Sequence, residues 1–241
     1  MEDSTTSGLP YASSLEEPYV LQRDKQELIQ AGLRAIDQRV DAKRDDLMDH
    51  GVFDEQTVES LLKQFRDECE IEFYNDVYGN VSDRCSECLC NLSVYFHKDN
   101  WERMDGIERE DALNTLSIRA GKAFRFDVRG VKFYDGKPNS RGYYSGDGFL
   151  YLNSDVLSEP DNRMDAIDTI FHEGRHAFQH AAANNPTAYS IDRDTAIRWK
   201  NNFFPNYIRY ERNPAGYFSQ PIEVDAREFA ETVIKNGGID S

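Results

Sequence analysis

The stretch from about Arg163 to Ala183 sets the tightest limit on what this chain can become. Met164, Ile167, Ile170 or Phe171, Gly174, Phe178 and Ala181 recur at helical spacing between Pro160 and Asn184-Asn185-Pro186, which predicts one long helix buried along a stripe. Inside it stands Phe-His-Glu-Gly-Arg-His. On a helix His172 and His176 lie one turn apart on the same side, so two imidazoles can converge on one metal ion. Glu173 lies between them in sequence and need not ligate. It can reach a water in an open coordination position, whose pKa a zinc ion lowers to about 7, and take its proton as the water attacks a carbonyl. Two unrelated histidines on an exposed helix face are the plain alternative.

Such a site needs a third protein ligand. His180 is four residues beyond His176, but three ligands in a row on a straight helix span about 12 Å. They cannot surround one ion, so His180 is expected behind the ligands or at the surface. The segment SQPIEVDAREFAE is a better source. Pro221 suits the first turn of a helix, and Glu223, Ala226 and Ala230 then share a face whose small residues allow a close approach to the first helix. Asp225 is the rival, because two residues along a helix turn a carboxylate about 200° away; only one of the two can face the ion. A solvated acidic face remains the other reading.

A resemblance is carried by these residues. HEGRH followed at a distance by Glu223-Val-Asp-Ala226-Arg-Glu-Phe229-Ala230 resembles the gluzincin zinc peptidases, and this third-ligand helix is similar to those of the membrane CAAX-processing proteases and the ImmA/IrrE family. The fuller run takes in a strand at Gly148 to Asn153, IFHEGRHAFQ, Trp199 and Asn202, then YFSQPIEVDAREFA. It resembles more closely the small zincin-like toxin domains of bacterial polymorphic toxins and phage-borne proteins, over roughly Glu108 to Lys235. The resemblance implies an α+β, zincin-like fold with a small twisted sheet packed on the HEGRH helix. It also implies Zn2+ as cofactor, His172, His176 and Glu223 as ligands, Glu173 as general base, and a protein or peptide substrate cut by a toxin or effector protease.

One departure bears on the surroundings of the ligands. The CAAX-type proteins carry Asp four residues after the ligand Glu, where it orients a zinc histidine, and Arg227 stands there in this chain. Asp225, Asp168 or a backbone carbonyl are left to do that work. A zinc peptidase also needs a donor for the oxyanion that develops on the carbonyl. Tyr207, Tyr210 and Tyr217 lie between the two metal-bearing segments, Arg175 lies within the motif, and these four are the candidates.

The remaining sequence places and bounds this site. With 28 Lys+Arg against 44 Asp+Glu the formal net charge is −16. Phosphate recognition draws on clustered Lys and Arg, and no basic patch is visible, so a nucleic-acid partner is not expected. No run approaches the roughly 18 apolar residues of a membrane span, and Met1 to Glu17 is polar without a basic start or an apolar stretch. A membrane is therefore not expected either, and the expected setting is cytoplasmic, or the cytoplasm of a target cell reached without a Sec signal.

Residues 1–100 read as an N-terminal helical region with a Cys-rich segment, and 101–241 as the metallopeptidase domain. Ile29, Leu33, Ile36 and Val40 mark one helix fading at His50-Gly51. Val58, Leu61, Leu62, Phe65, Cys69 and Phe73 mark a second behind Asp54, the two forming a hairpin on which a cognate inhibitor or other partner could dock. Leu89 to Phe96, Phe124 to Val128, Val131 to Tyr134 and Gly148 to Asn153 read as strands, with turns at Gly130, Asp135-Gly136, Pro138 and Gly142. The last strand is expected at the sheet edge beside the cleft. Helices are expected near Glu108 to Ala123, Asp192 to Asn202 and Glu223 to Lys235.

Cys69, Cys85, Cys88 and Cys90 total four thiols, enough for a second, structural zinc site; a disulfide or reduced thiols are the alternatives. Two other functions stay open at this level. One is a non-catalytic, zinc-stabilised protein-binding module, and the other a zinc hydrolase acting on a non-peptide bond.

Overall fold

The computed structural model describes residues 19–49, 54–136 and 140–239. The expected leader at Met1 to Glu17, the helix stop at His50-Gly51 and the turn at Pro138 lie outside the described residues. The chain forms two compact units that divide between Cys69 and Glu70.

The first unit holds helix α1 (Tyr19–Asp49) and the greater part of α2 (Glu55–Tyr78). Asp54 starts α2 by accepting from the amide and hydroxyl of Thr57 at 3.0 and 2.6 Å, the hydrogen bonds of a helix cap. Arg44 reaches Glu59 at 2.7 Å, Arg66 pairs with Asp37, and Arg39 lies over the ring of Phe65. Those pairs run in opposite chain directions, so the two helices are antiparallel. Ile36, Val40, Val58 and Leu62 are buried. This is the expected hairpin, except that Leu61, expected on the apolar face, is 38% exposed.

The second unit is α+β. It continues with α3 (Val81–Asn91), α4 (Ser93–Phe96), α5 (Lys98–Arg103) and α6 (Gly106–Phe124), then β1 (Gly130–Tyr134), β2 (Gly142–Tyr144) and β3 (Phe149–Asn153). It ends with α7 (Asp155–Ser158), α8 (Arg163–Asn184), α9 (Arg193–Phe203), α10 (Pro214–Phe218) and α11 (Pro221–Asn236). No helix among the described residues is long and apolar enough to cross a membrane.

Helix α8 is the axis of this unit. It packs against α11, α9 and α6 and against β2 and β3, with Ile167, Ile170, Phe171 and Phe178 all within its core. The expected choice between Ile170 and Phe171 does not arise, because both are buried, while Met164 and Ala181 are only partly so. A helix covered on nearly every side needs a wider apolar arc than one stripe supplies. Gly174 has a steric role: a Cβ there would stand 2.6 Å from the Phe124 ring, so its absence lets α6 close on α8.

Four expectations are corrected here. Leu89 to Phe96 is helical, not a strand; Leu89, Leu92 and Phe96 are buried at i, i+3 and i+7, a helical period that over a short run can be taken for alternation. Phe124 ends α6, and Arg125 takes a left-handed conformation (φ 66°) that turns the chain away. Phe124 sits among Phe126, Phe178 and Phe229 with ring centroids 5.3–6.0 Å away, so burial of an aromatic cluster, rather than strand pairing, explains the apolar run to Val128. The domain boundary expected near residue 100 lies earlier, because Leu89, Phe96 and Trp101 belong to the same core as α6 and α8.

The fourth correction concerns the sheet. Its order is β1-β3-β2, with β3 parallel to β1 and antiparallel to β2, so Phe149–Asn153 is central and not at an edge. Leu150 and Leu152 point into the core, and a strand buried on that face is paired on both sides. The strand left at the edge nearest α8 is the short β2, absent from the expectation because three residues carry too little periodicity to read. At Gly142 a Cβ would lie 2.5 Å from both Thr169 and the Tyr151 carbonyl, so glycine lets β2 rest directly on α8.

Candidate metal centre

His172 and His176 project from the middle of α8, and Glu223 from the first turn of α11. Gln220 precedes α11 in an extended conformation and Pro221 opens it, as Pro does at a helix start. Ala226 and Ala230 are fully buried on the face that meets α8, and their small size brings Glu223 to within reach of both histidines. His172 Nε2 and His176 Nε2 stand 3.1 Å apart. Glu223 Oε2 lies 3.4 Å from the first, and Oε1 3.5 Å from the second. Among the described residues this is the one group of three or more His, Cys, Asp or Glu side chains whose donor atoms converge as a metal site requires.

These residues fit a zinc ion. With Zn–N and Zn–O bonds of about 2.0–2.1 Å, a tetrahedral ion holds its ligand atoms about 3.3–3.4 Å apart, and the measured separations straddle that value. Glu223 is 1% exposed and its Oε2 has no hydrogen-bond partner, an acceptor left open in a place where such atoms are otherwise satisfied. Burial opposes the Glu223 charge, but the adjacent His172 and His176 rings outweigh it and hold its carboxyl well below the usual range. Burial likewise opposes protonation of His176, and contacts with Glu223 and the charge of Glu173 override it and raise the ring to about 9.

Glu173 borders the openings beside this trio. A cleft of about 900 Å3 lies on one side, lined in part by Arg141, Asp168, His172, Tyr217 and Arg227. A smaller hollow of about 400 Å3 lies on the other, walled by Tyr143, Tyr144, His176, Phe203 and Ile222. Glu173, Tyr207 and Glu223 border both, so the two form one groove that passes over the centre.

Of the four donor candidates, two reach the centre. Tyr207 donates to Glu223 Oε1 at 3.3 Å, and Tyr217 packs edge-on against Tyr207. Burial, followed by the negative charge of Glu223, raises both hydroxyls above the usual phenol range, so each keeps its proton and remains a donor. Tyr210 lines the larger cleft, edge-on to Tyr217 and Phe218.

Arg175 is corrected: its guanidinium is buried away from the groove, over the rings of Phe178, Trp199 and Phe229, and is tied to Asp225 by two bonds of 2.8 and 3.0 Å. Asp225 is therefore neither a ligand nor a direct neighbour of a histidine. Asp168 stands on the cleft wall one turn before His172, 3.9 Å from Arg141, with burial raising its carboxyl and the charges of His172 and Arg141 opposing the rise. His180 is exposed, against the Phe203 ring, as three ligands in a row on one helix would require.

Two residues with polar roles here are absent from the sequence reading. Gln179 accepts at 2.9 Å from His176 Nδ1, and Gln220 ties the tyrosine-bearing segment down. The available signal was a Gln three residues after His176 in a helix with a buried apolar stripe. Among the described residues of α3 the cysteines form no metal-type cluster. Cys85 is buried, Cys88 partly so and Cys90 exposed, none is in a disulfide, and burial pushes the Cys88 thiol up to about 11. A thiolate site is not what α3 presents.

The chain matches no family model, no curated protein and no solved structure.

Proposed function

We propose that this chain is a zinc-dependent metallopeptidase of the gluzincin type, with a zincin-like arrangement of α8, α11 and the sheet. The observation that supports it most is the 3.1–3.5 Å triangle of His172, His176 and Glu223 donor atoms at the floor of a groove open on both sides. A zinc ion held there supplies a Lewis acid and a water of lowered pKa. Glu173 borders both halves of the groove, where it takes a proton from the attacking water and returns it to the leaving amine. Tyr207 and Tyr217, kept protonated, donate to the oxyanion of the tetrahedral intermediate.

A peptide is favoured over other substrates by β2. Gly142 lines the larger cleft, Tyr143 and Tyr144 the smaller, and among the described strands β2 pairs only with β3. An extended chain laid along its outer edge passes Glu173, with main-chain hydrogen bonds to hold it.

The test is zinc content and peptide hydrolysis, with and without a chelator, in the wild-type chain and in Glu173→Gln. Gln is nearly isosteric but takes no proton. The expected result is one zinc per chain in both, and hydrolysis reduced at least about 100-fold in the variant. Undiminished hydrolysis in the variant would remove the general-base role, and zinc without hydrolysis of any peptide would favour a binding module or another bond.

A further inference from the structure

His176 has a second ring nitrogen, and what faces it is settled by residues outside the ligand trio. Gln179 Oε1 lies 2.9 Å from His176 Nδ1. The side chain of Gln179 is fully buried, and its amide has one orientation open to it. Its nitrogen stands 2.9 Å from the Ile222 carbonyl and 2.6 Å from Asp225 Oδ2, and neither a carbonyl nor a carboxylate can donate. Turning the amide over would set its oxygen against two oxygens out of reach of water, an unsatisfied arrangement that costs on the order of 1–3 kcal/mol per group. The amide oxygen is thereby aimed at His176, and an amide oxygen can only accept. The hydrogen must be on Nδ1.

Asp225 is held in turn. Arg175 grips both of its oxygens in the two-pronged geometry that fixes a carboxylate most firmly, and the guanidinium is clamped among Phe178, Trp199 and Phe229 at 4.8, 5.3 and 4.6 Å.

We propose that Arg175, Asp225 and Gln179 form a positioning relay for His176. It keeps the proton of the neutral ring on Nδ1 and leaves the Nε2 lone pair facing His172 and Glu223. The purpose assigned to the relay rests on the zinc reading above; its geometry does not. It also gives a place to Arg175, expected among the oxyanion donors, and to Asp225, expected behind a histidine: both lie beside the metal-type side chains in sequence yet face the interface of α8 with α11. The pattern to look for in a sequence is Arg-His-x-x-Gln on one helix with Glu-x-Asp on the other.

The ring nitrogens of 15N-histidine-labelled protein, observed by NMR without metal and above the pH at which His176 is neutral, report the tautomer directly. Zinc affinity by chelator competition is measured beside it. In the wild type the proton is expected on Nδ1. In Gln179→Met, close in size but with no acceptor for Nδ1–H, the proton is expected to move to Nε2, which has His172 Nε2 at 3.1 Å and Glu223 Oε1 at 3.5 Å. Zinc affinity there should fall about 10–100-fold, as it does when a partner behind a metal histidine is removed.

A wild-type ring carrying its proton on Nε2 overturns the relay, and so does a folded Gln179→Met chain with unchanged tautomer and unchanged zinc affinity. The wild-type spectrum decides without any variant, so a Gln179→Met chain that fails to fold leaves the test intact. A wild-type chain with the Nδ1 tautomer that takes up no zinc supports the relay and removes the metal reading instead.

Discussion

The floor of the groove and the segment that overhangs it are built in opposite ways. The floor is two long helices, α8 and α11, with Ala226 and Ala230 admitting close approach and with Glu223 and Gln179 sealed from solvent. The overhang runs from Phe204 to Ser219, and every residue from 204 to 215 is exposed. It is tied back largely through one buried side chain. Gln220 accepts from the Ile208 amide at 2.7 Å and from Asn202 Nδ2 at 3.0 Å, and it donates to the Ile208 and Tyr217 carbonyls at 2.9 and 3.3 Å. Dense packing suits groups whose mutual distances must not change, and a tethered, solvated strip suits donors that have to admit a substrate and then meet it. Metal affinity should therefore be a property of the floor, and turnover of the overhang.

The largest effect expected is at the floor. Glu223→Ala removes one of the three proposed ligands and leaves two histidines facing a void, so zinc content should fall close to zero and hydrolysis with it. Full zinc occupancy in that chain, read by metal analysis after dialysis, would break the assignment of the floor as the metal-holding region. Next comes the overhang: Tyr207→Phe and Tyr217→Phe should each keep zinc and fold, and the more important of the two should lower kcat about 100–1000-fold, the loss found when an oxyanion donor is removed. Steady-state kinetics with zinc content measured on the same samples separates the regions, and loss of zinc in either chain would blur them into one.

Gln220→Leu sharpens the contrast at smaller scale. It strands several polar groups at about 1–3 kcal/mol each when they stay out of water, many of them at a strip that can rehydrate, so a fall of a few degrees in Tm is expected. The rate should drop further than the stability does, with zinc affinity unchanged. His180→Ala should do least. An exposed side chain on the groove wall, it should alter stability by no more than about 0.5 kcal/mol and leave zinc content as it was; a clear loss of zinc would return His180 to the ligand set.

The α+β class, the N-terminal hairpin, α8, α9 and α11 were legible in the sequence because each rests on periodicity over ten or more residues. The misread strand at Leu89 to Phe96 and the unseen β2 were too short for a period to declare itself. Gln179 and Gln220 escaped notice for a different reason, since a buried glutamine announces nothing until its partners are known.

What the sequence determined by itself is the local geometry of the centre. An i, i+4 spacing on a helix sets His172 and His176 on one side and Glu173 next to them, and a straight helix keeps His180 out, because backbone dihedrals alone dictate those positions. Only the tertiary structure decided between Glu223 and Asp225, turned Arg175 from the groove into the helix interface, and put β2 rather than β3 at the edge. Each of those outcomes depends on which face of one element meets another. That choice is made by the burial of Ala226, Ala230, Leu150 and Leu152 and by the pairing of buried charge, and neither can be read from one segment alone.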